Sequence, residues 1–381
     1  MKNKNLIAGI NIAKIVLGNS LLYNAEIFAA NGMVYGILMF VVLGGVFAHL
    51  SLFILMKTSI KTETRNYERL MAKTLGKDTK PLIKTFVLIL CVFSICTYVD
   101  IVREVLFVLG MSKMGSLFVC GIIFVFLNFI FIKYSQLYFV NILGFLSVGI
   151  FCSFSFFKGL QGSPEKIKYF RANANLVESI SRVSLSFCYH YCVLPFLDKI
   201  EVENGKENKN LLNVTMVAAF LSTFIHLLVS ITGYLAYPSS KPLWFENFDK
   251  TEPVTFYTLL LTALFITALG VPICFIGITQ EYERFLVNPV GSLEHRVVGA
   301  LITIVIVSCG QIIAKNIFAK CVVSILTSFV MFVFPGISFL KIATNKEKYD
   351  KVIAYFCILM GFLLFLKTVY DLSKNIFMLF V

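Results

Sequence analysis

The chain has 381 residues, of which 58% are hydrophobic and 14% charged. Soluble domains carry roughly 45–50% apolar and about 25% charged residues, and folding leaves about a quarter of the unfolded-chain surface of a domain of about 300 residues in water. A mean hydropathy of +0.84 therefore excludes a soluble enzyme, a secreted disulfide scaffold, a coiled coil and a disordered chain; what remains is an all-α polytopic membrane protein.

The formal charge is +13, from 34 basic and 21 acidic residues. A cationic excess on the loops of such a chain reads as topology determinants. Nucleic acid is not an expected partner, because no module of basic and aromatic residues lies outside the apolar runs. The ten cysteines all lie inside apolar runs. There they behave as small buried hydrophobes, which argues against a disulfide framework or a zinc site. No metal and no bound cofactor are expected.

A bilayer core takes about 20 apolar residues per helix. In chain order, eleven runs meet this, at roughly 6–30, 34–56, 84–109, 116–132, 137–157, 179–197, 211–236, 254–279, 297–314, 318–340 and 352–374. No soluble domain separates them, so residues 1–381 read as one transmembrane domain. The first run follows two lysines, is too long for a signal-peptide core and lacks a small-residue cleavage site. Counting Lys and Arg on alternate sides gives 20 against 10. This puts the N-terminus in the cytoplasm and the C-terminus outside. The stretch Lys57–Lys84 is then a cytoplasmic loop, with a short amphipathic helix around Tyr67, Leu70, Met71 and Leu75.

In lipid, irregular backbone survives only where it lines a cavity or is buried in protein. The centre of the first run holds Gly18, Asn19, Ser20, Asn24 and Glu26. Gly18 costs about 1 kcal/mol against alanine in a helix interior, and Asn19 and Ser20 offer competing local hydrogen bonds. An unwound segment here frees backbone N–H groups that suit a carboxylate; the alternative is a small-residue face packed on another helix. Within the sixth run, the stretch Ser184–Pro195 carries the ionisable His190, which marks a pathway or is a hydrogen-bonded packing group. Pro195 kinks or ends this helix.

Breaks in the first and sixth runs are what an inverted repeat of five plus five helices requires, and such breaks point to the substrate site. Residues 1–157 form the first repeat, 179–340 the second, and 352–374 an added helix. In the third run, Asp100, Arg103 and Glu104 share one helix face and read as a neutralised pair near the outer end rather than as an outer gate. His49 and His226 stand alone and read as packing groups. In the eighth run, Thr262, Thr267, Gly270 and Pro272 weaken the helix. Cys188 and His190 are two apart, on nearly opposite faces of a regular helix, with no third orienting group, so an enzyme is not expected. The sequon Asn213-Val-Thr215 opens the seventh run on the cytoplasmic side and reads as unused. Asn288-Pro289-Val290 occurs once, in a loop, and is poor support for a water channel.

These segments resemble the amino acid/auxin permease family, also called the amino acid transporter transmembrane family. The stretch Gly18-Asn-Ser-Leu-Leu-Tyr-Asn-Ala-Glu-Ile-Phe-Ala-Ala-Asn-Gly32 is similar to that family's first helix, with its Gly-x-Gly start and a Gly fourteen residues on. Phe187-Cys-Tyr-His190-Tyr-Cys-Val-Leu-Pro195 resembles the sixth, with its Phe-x-Cys-His and Val-Leu-Pro. Gly233-Tyr234-Leu235 and Pro335 also fit, so the resemblance covers roughly 6–375.

It implies an eleven-helix, LeuT-type fold and secondary active transport of amino acids by alternating access. The site lies among the first, third, sixth and eighth helices, with substrate meeting Gly18, Asn19 and Ser20 on one side and Ser186, Phe187, Cys188 and Tyr189 on the other. Three positions depart from the family pattern: Ser20 replaces the second Gly, Ala25 a Pro and Glu26 a Tyr. They bear on which substrate is carried, and they keep a non-transporting amino acid sensor on the same fold as the alternative.

Lys14 lies four residues before Gly18. The sodium-coupled branch of the family tends to carry Asn there, and the proton-coupled and vacuolar branches Lys. A fixed ammonium would repel sodium and stand in for it; the other reading is a lysine snorkelling to the interface. Proton coupling or sodium independence is therefore expected ahead of sodium coupling, with Lys14, Glu26, His190 and Thr267 as coupling candidates. The expected setting is a monomer in the plasma membrane or a vacuolar or lysosomal membrane.

Overall fold

A computed structural model describes residues 2–131, 136–162, 166–171, 176–199, 207–238, 243–247, 253–282, 291–345 and 347–380. Asn288-Pro289-Val290 lies outside the described residues. Every element described is helical. The first membrane segment is split into α1 (Lys2–Val16) and α2 (Asn24–Asn31), joined by a tight 3₁₀ turn at Asn19–Leu22. Gly32, at φ 89°, turns the corner, and a Cβ there would press on the carbonyls of Lys168 and Tyr169. Beyond it, α3 (Met33–Met39) runs through π-helical turns at Phe40–Ala48 into α4 (His49–Lys61). The amphipathic α5 (Tyr67–Leu75) follows, then α6 (Lys80–Val108), α7 (Lys113–Ile130) and α8 (Leu137–Leu160).

The sixth segment is split into α9 (Leu176–Ser186) and the single turn α10 (His190–Val193), continued by a 3₁₀ run at Leu194–Lys199. Then come α11 (Glu207–Ala236), α12 (Pro253–Ala268), α13 (Val271–Tyr282) and α14 (Leu293–Lys315). The chain ends with α15 (Ile317–Ser328), a π-helical turn at Phe329–Val333, α16 (Phe334–Ile342) and α17 (Lys348–Phe380). The helices overrun the apolar runs: the first starts at Lys2 and the last begins at Lys348, because amphipathic ends continue the backbone ladder past the hydrocarbon layer.

Among the described residues, nine helical stretches are long and apolar enough to cross a membrane. The two segments outside that set are 2–31 and 176–199, both interrupted at mid-length. Short loops have sequence-encoded starts. Ser112, Ser292 and Asn316 each accept a hydrogen bond from the N–H three residues on, which satisfies one of the donors any helix start leaves free.

The outer wall is recognisable by large apolar side chains facing outward, such as Phe118 and Phe126 on α7, Leu301 and Ile312 on α14, and Leu359 and Leu366 on α17. Contiguous apolar exposure on this scale needs lipid rather than water against it. The centre is α1–α2, α6, α9–α10 and α12–α13. All ten cysteines are free thiols, and among the described residues no cluster of three or more His, Cys, Asp or Glu is placed to hold a metal.

Among the described residues, the face carrying α5 is closed by contacts between elements. Buried Tyr67 donates its hydroxyl to the Val330 carbonyl at 2.7 Å, and Thr74 donates to Ser338 at 3.0 Å. Ser51 donates to the Met331 carbonyl. The Val330 and Met331 carbonyls belong to the π-helical turn at Phe329–Val333, whose wide spacing releases carbonyls from the ladder. Lys57 holds Glu347 at 2.9 Å and Asp350 at 2.5 Å, and Lys61 also pairs with Glu347. Burial works against the Glu347 charge, but the ammonium groups of Lys61 and Lys57 and the Thr344 N–H outweigh it and hold its carboxyl at about 2.

Candidate functional site

A large cavity, about 740 Å³, opens on the face opposite α5 and reaches the middle of the molecule. Its floor is where three helices lose their ladders. In the first segment, the Gly18 N–H turns back to the Val16 carbonyl at 2.9 Å, and the helical ladder stops. The next N–H groups start a new turn and so have no partner within it. In the sixth, the Cys188 N–H bonds Leu185 and the Tyr189 N–H bonds Phe187, tight turns that end α9. In the eighth, the Gly270 N–H reaches the Thr267 carbonyl at 3.0 Å, and Pro272 prevents the ladder from continuing.

Tyr98 of α6 joins two of these breaks. A Cβ on Gly18 would lie 2.9 Å from its hydroxyl oxygen, and one on Gly270 2.7 Å from it. Glycine at both positions is therefore a requirement of close approach rather than of backbone angle. Tyr98 lines the cavity, with its hydroxyl beside both unwound segments.

The cavity walls include Lys14, Gly18, Ser20, Glu26, Ser186, Cys188 and Tyr189. Phe187, His190 and Thr267 do not line it. Phe187 packs behind the break against His226 and Phe40. His190 is wholly buried, its ring beside the backbone of Ala48. Thr267 caps its own helix by donating to the Ala263 carbonyl at 2.7 Å. The Asn19 backbone belongs to the first break, while its side chain lies outside the described residues.

Lys14 is buried at 2% exposure. Its stem lies over Gly144 of α8, and its ammonium donates to the Leu17 carbonyl at 3.4 Å. It points into the break and does not snorkel to an interface. Glu26 is held by Arg182 at 2.5 Å, an ion pair that crosses the cavity mouth from α2 to α9. Asp100 and Glu104 face Lys315 of α14, at 3.3 and 3.5 Å. Arg103 donates instead to Gln311. The local pairing of Asp100 with Arg103 expected from helical spacing is thus replaced by a contact between helices, because Lys315 reaches both carboxylates at once.

His226, read from sequence as packing, bonds Ser20 at 3.0 Å. Its partner is 206 residues away, so no local signal could have found it. Tyr98 was equally hidden, one aromatic within a long apolar run. The signal available was indirect: two glycines in breaks imply something bulky between them.

The family model described as "Transmembrane amino acid transporter protein" matches residues 1–374. A curated relative, the sodium-coupled neutral amino acid symporter 2 of Danio rerio, is 22% identical over 210 residues, which are 52% of this chain and 40% of that one. The match therefore spans well under two thirds of the relative's length. Among solved structures, MhsT in complex with L-phenylalanine aligns with TM-score 0.64 and 12% identity, over 97% of this chain and 98% of that one. The manganese transporter of Eremococcus coleocola gives 0.66 and 13%, over 98% and 87%. Mhp1, a nucleobase-cation-symport-1 family transporter, gives 0.63 and 12%, over 98% and 93%. Such identities speak for the fold alone, which is that of LeuT-type transporters. Family and structural neighbours are transporters, not enzymes.

Proposed function

The chain belongs to the transmembrane amino acid transporter family, and we propose that it is a secondary active carrier which binds its amino acid between the interrupted first and sixth segments. The observation that carries this reading is the cavity whose floor brings Gly18, Ser20, Ser186, Cys188 and Tyr189 together with Tyr98 and Gly270. A zwitterion needs donors for its carboxylate and acceptors for its ammonium. The free N–H groups after Gly18 and the Tyr98 hydroxyl supply donors. The C-terminal end of α1, with its partial negative charge, supplies acceptors. The remaining wall, with Phe93, Leu185 and Ile273, accepts an apolar side chain. At about 740 Å³ the space lies within the range of small-molecule sites.

In this reading the chain crosses the membrane eleven times as a five-plus-five inverted repeat with one added helix, and acts as a monomer. The N-terminus and α5 are cytoplasmic, in a plasma, vacuolar or lysosomal membrane. On this reading the molecule is in an outward-open state, supported by an open vestibule on one face and by ion pairs and side-chain hydrogen bonds on the other. Alternating access exchanges which face is sealed, and substrate biases the exchange by binding one arrangement better.

Lys14 supports proton coupling or sodium independence. Its ammonium sits against the broken end of α1, where a bound cation would be attracted by the same carbonyls and repelled by the lysine. Glu26 is engaged by Arg182, which leaves it less able to attract a cationic substrate. The Danio rerio relative is named for sodium coupling, so the two couplings compete directly. Uptake of a labelled amino acid mixture into liposomes, under an inward proton gradient and separately under an inward sodium gradient at equal pH, decides between them. Accumulation only with protons is expected. Accumulation only with sodium overturns the Lys14 argument and leaves the carrier reading intact; no accumulation with folded protein overturns both.

A further inference from the structure

We infer that His226 is a positioning residue that fixes the hydrogen-bonding sense of Ser20, so that this hydroxyl offers the cavity only acceptor lone pairs and selects for a substrate group that donates. This rests on the reading that Ser20 lies in the substrate site.

The argument starts from the far side of the ring. His226 is fully buried, and its Nδ1 lies 2.8 Å from the Ser222 carbonyl. A carbonyl can only accept, so Nδ1 carries the proton. In the neutral ring, Nε2 is then a bare acceptor. The group facing Nε2 is the Ser20 hydroxyl, at 3.0 Å, and it must donate. Its one proton is thereby committed away from the cavity, and its lone pairs remain on the side that lines the cavity.

The ring has little freedom to choose otherwise. Phe40 stacks on it at 5.8 Å and Phe187 lies against it at 4.9 Å. Phe187 is itself wedged against Gly44 in the π-helical turns. A serine alone would donate or accept as the ligand required. Backed by His226, it accepts only. An ammonium group satisfies it, whereas a 2-oxo group places acceptor against acceptor, and an unpaired buried polar contact costs far more than a missing apolar one.

The test uses the full chain in liposomes. The labelled amino acid is competed with its own 2-oxo acid, and the readout is the ratio of the two apparent affinities. His226→Phe keeps an aromatic ring between Phe40 and Phe187 but removes both nitrogens. It should lower the ratio by about tenfold, raising KM for the amino acid with kcat little changed. His226→Gln, which can present an amide oxygen to Ser20, should restore much of the ratio. Should His226→Phe fail to fold, Ser20→Ala and Ser20→Ala with His226→Gln replace it. The second change should then have no effect on the ratio, since the two residues act through one bond. An unchanged ratio in His226→Phe, or effects of the two sites that simply add, overturns the inference. Gly18→Leu separates the two levels of argument: if it abolishes uptake while the His226 variants leave the ratio unmoved, only the role of His226 falls. If Gly18→Leu transports normally, the site reading falls with it.

Discussion

The two faces of the molecule are built differently, and the difference shows what kind of contact can be undone. On the vestibule face, Glu26 pairs with Arg182, and Lys315 meets Asp100 and Glu104, at the mouth of an open space. On the α5 face, two lysines share two carboxylates, and hydroxyls of α4 and α5 hold carbonyls of a π-helical turn. Solvated ion pairs contribute about 0–1 kcal/mol each. A partly buried network is worth more and breaks as a unit. In the proposed carrier, the open face is therefore the one whose contacts rearrange at less cost, and the closed face acts as the latch.

The sharpest way to break this contrast is to fill the floor of the vestibule. Gly18→Leu with Ser20→Leu drives side chains into the Tyr98 hydroxyl and the substrate space. Uptake should fall more than about a hundredfold, with the folded fraction unchanged by size-exclusion chromatography. Undiminished uptake would place the site elsewhere.

A smaller effect is expected at the latch. Lys57→Ala leaves Asp350 without the ammonium that holds it and Glu347 with only Lys61. The cost should lie between the surface and buried limits, about 1–3 kcal/mol, read as a drop in thermal midpoint in detergent. Glu26→Gln, which breaks the vestibule pair, should move the midpoint by less. Equal drops would mean that the two faces are not energetically distinct.

The smallest effect is on pH dependence. The Glu347 carboxyl is held at about 2 in the fold, below its ordinary value of 4.5. A lowered carboxyl contributes stability that is fully present above the unfolded value and is lost as pH falls through the folded one. The latch contribution should thus be constant down to about pH 4.5 and decline between there and about 2. Thermal midpoints measured from pH 7 to pH 3 should converge for the wild type and Glu347→Gln at the acid end. A gap that stays constant with pH would remove Glu347 from the latch.

Much of the architecture was legible because lipid makes sequence explicit. An apolar run must be a helix, and small polar residues at its centre must mark a break or a packed face. That logic pointed to a break at Gly18–Ser20, and the family resemblance added one at Ser186–Tyr189, where α9 ends at Ser186 and α10 starts at His190. It also placed the amphipathic α5, where Tyr67, Leu70 and Met71 are buried.

What was not legible depends on which helix stands next to which. Tyr98 looks like any aromatic in an apolar run until Gly18 and Gly270 are seen on either side of it. Asp100 has a suitable arginine three residues on, yet meets Lys315. His190 carries the right chemistry for a relay, but it sits behind the cavity wall. His226, which looked like filler, holds the hydroxyl of the first break.

The π-helical turns at Phe40–Ala48 have a further consequence, one of rotational phase. Each such turn contains about one residue more than an α-helical turn, and one residue of an α-helix spans about 100°. Everything after Ala48 on α4 is therefore presented at an azimuth that an uninterrupted α-helix of the same sequence would not reach. Ser51 meets Met331 and Lys57 meets Asp350 only because of that offset. The same extra residue opens the backbone around Gly44, where the Phe187 ring is seated. The same π-helical stretch thus sets the phase of the latch on one face and gives the wall behind the cavity its room.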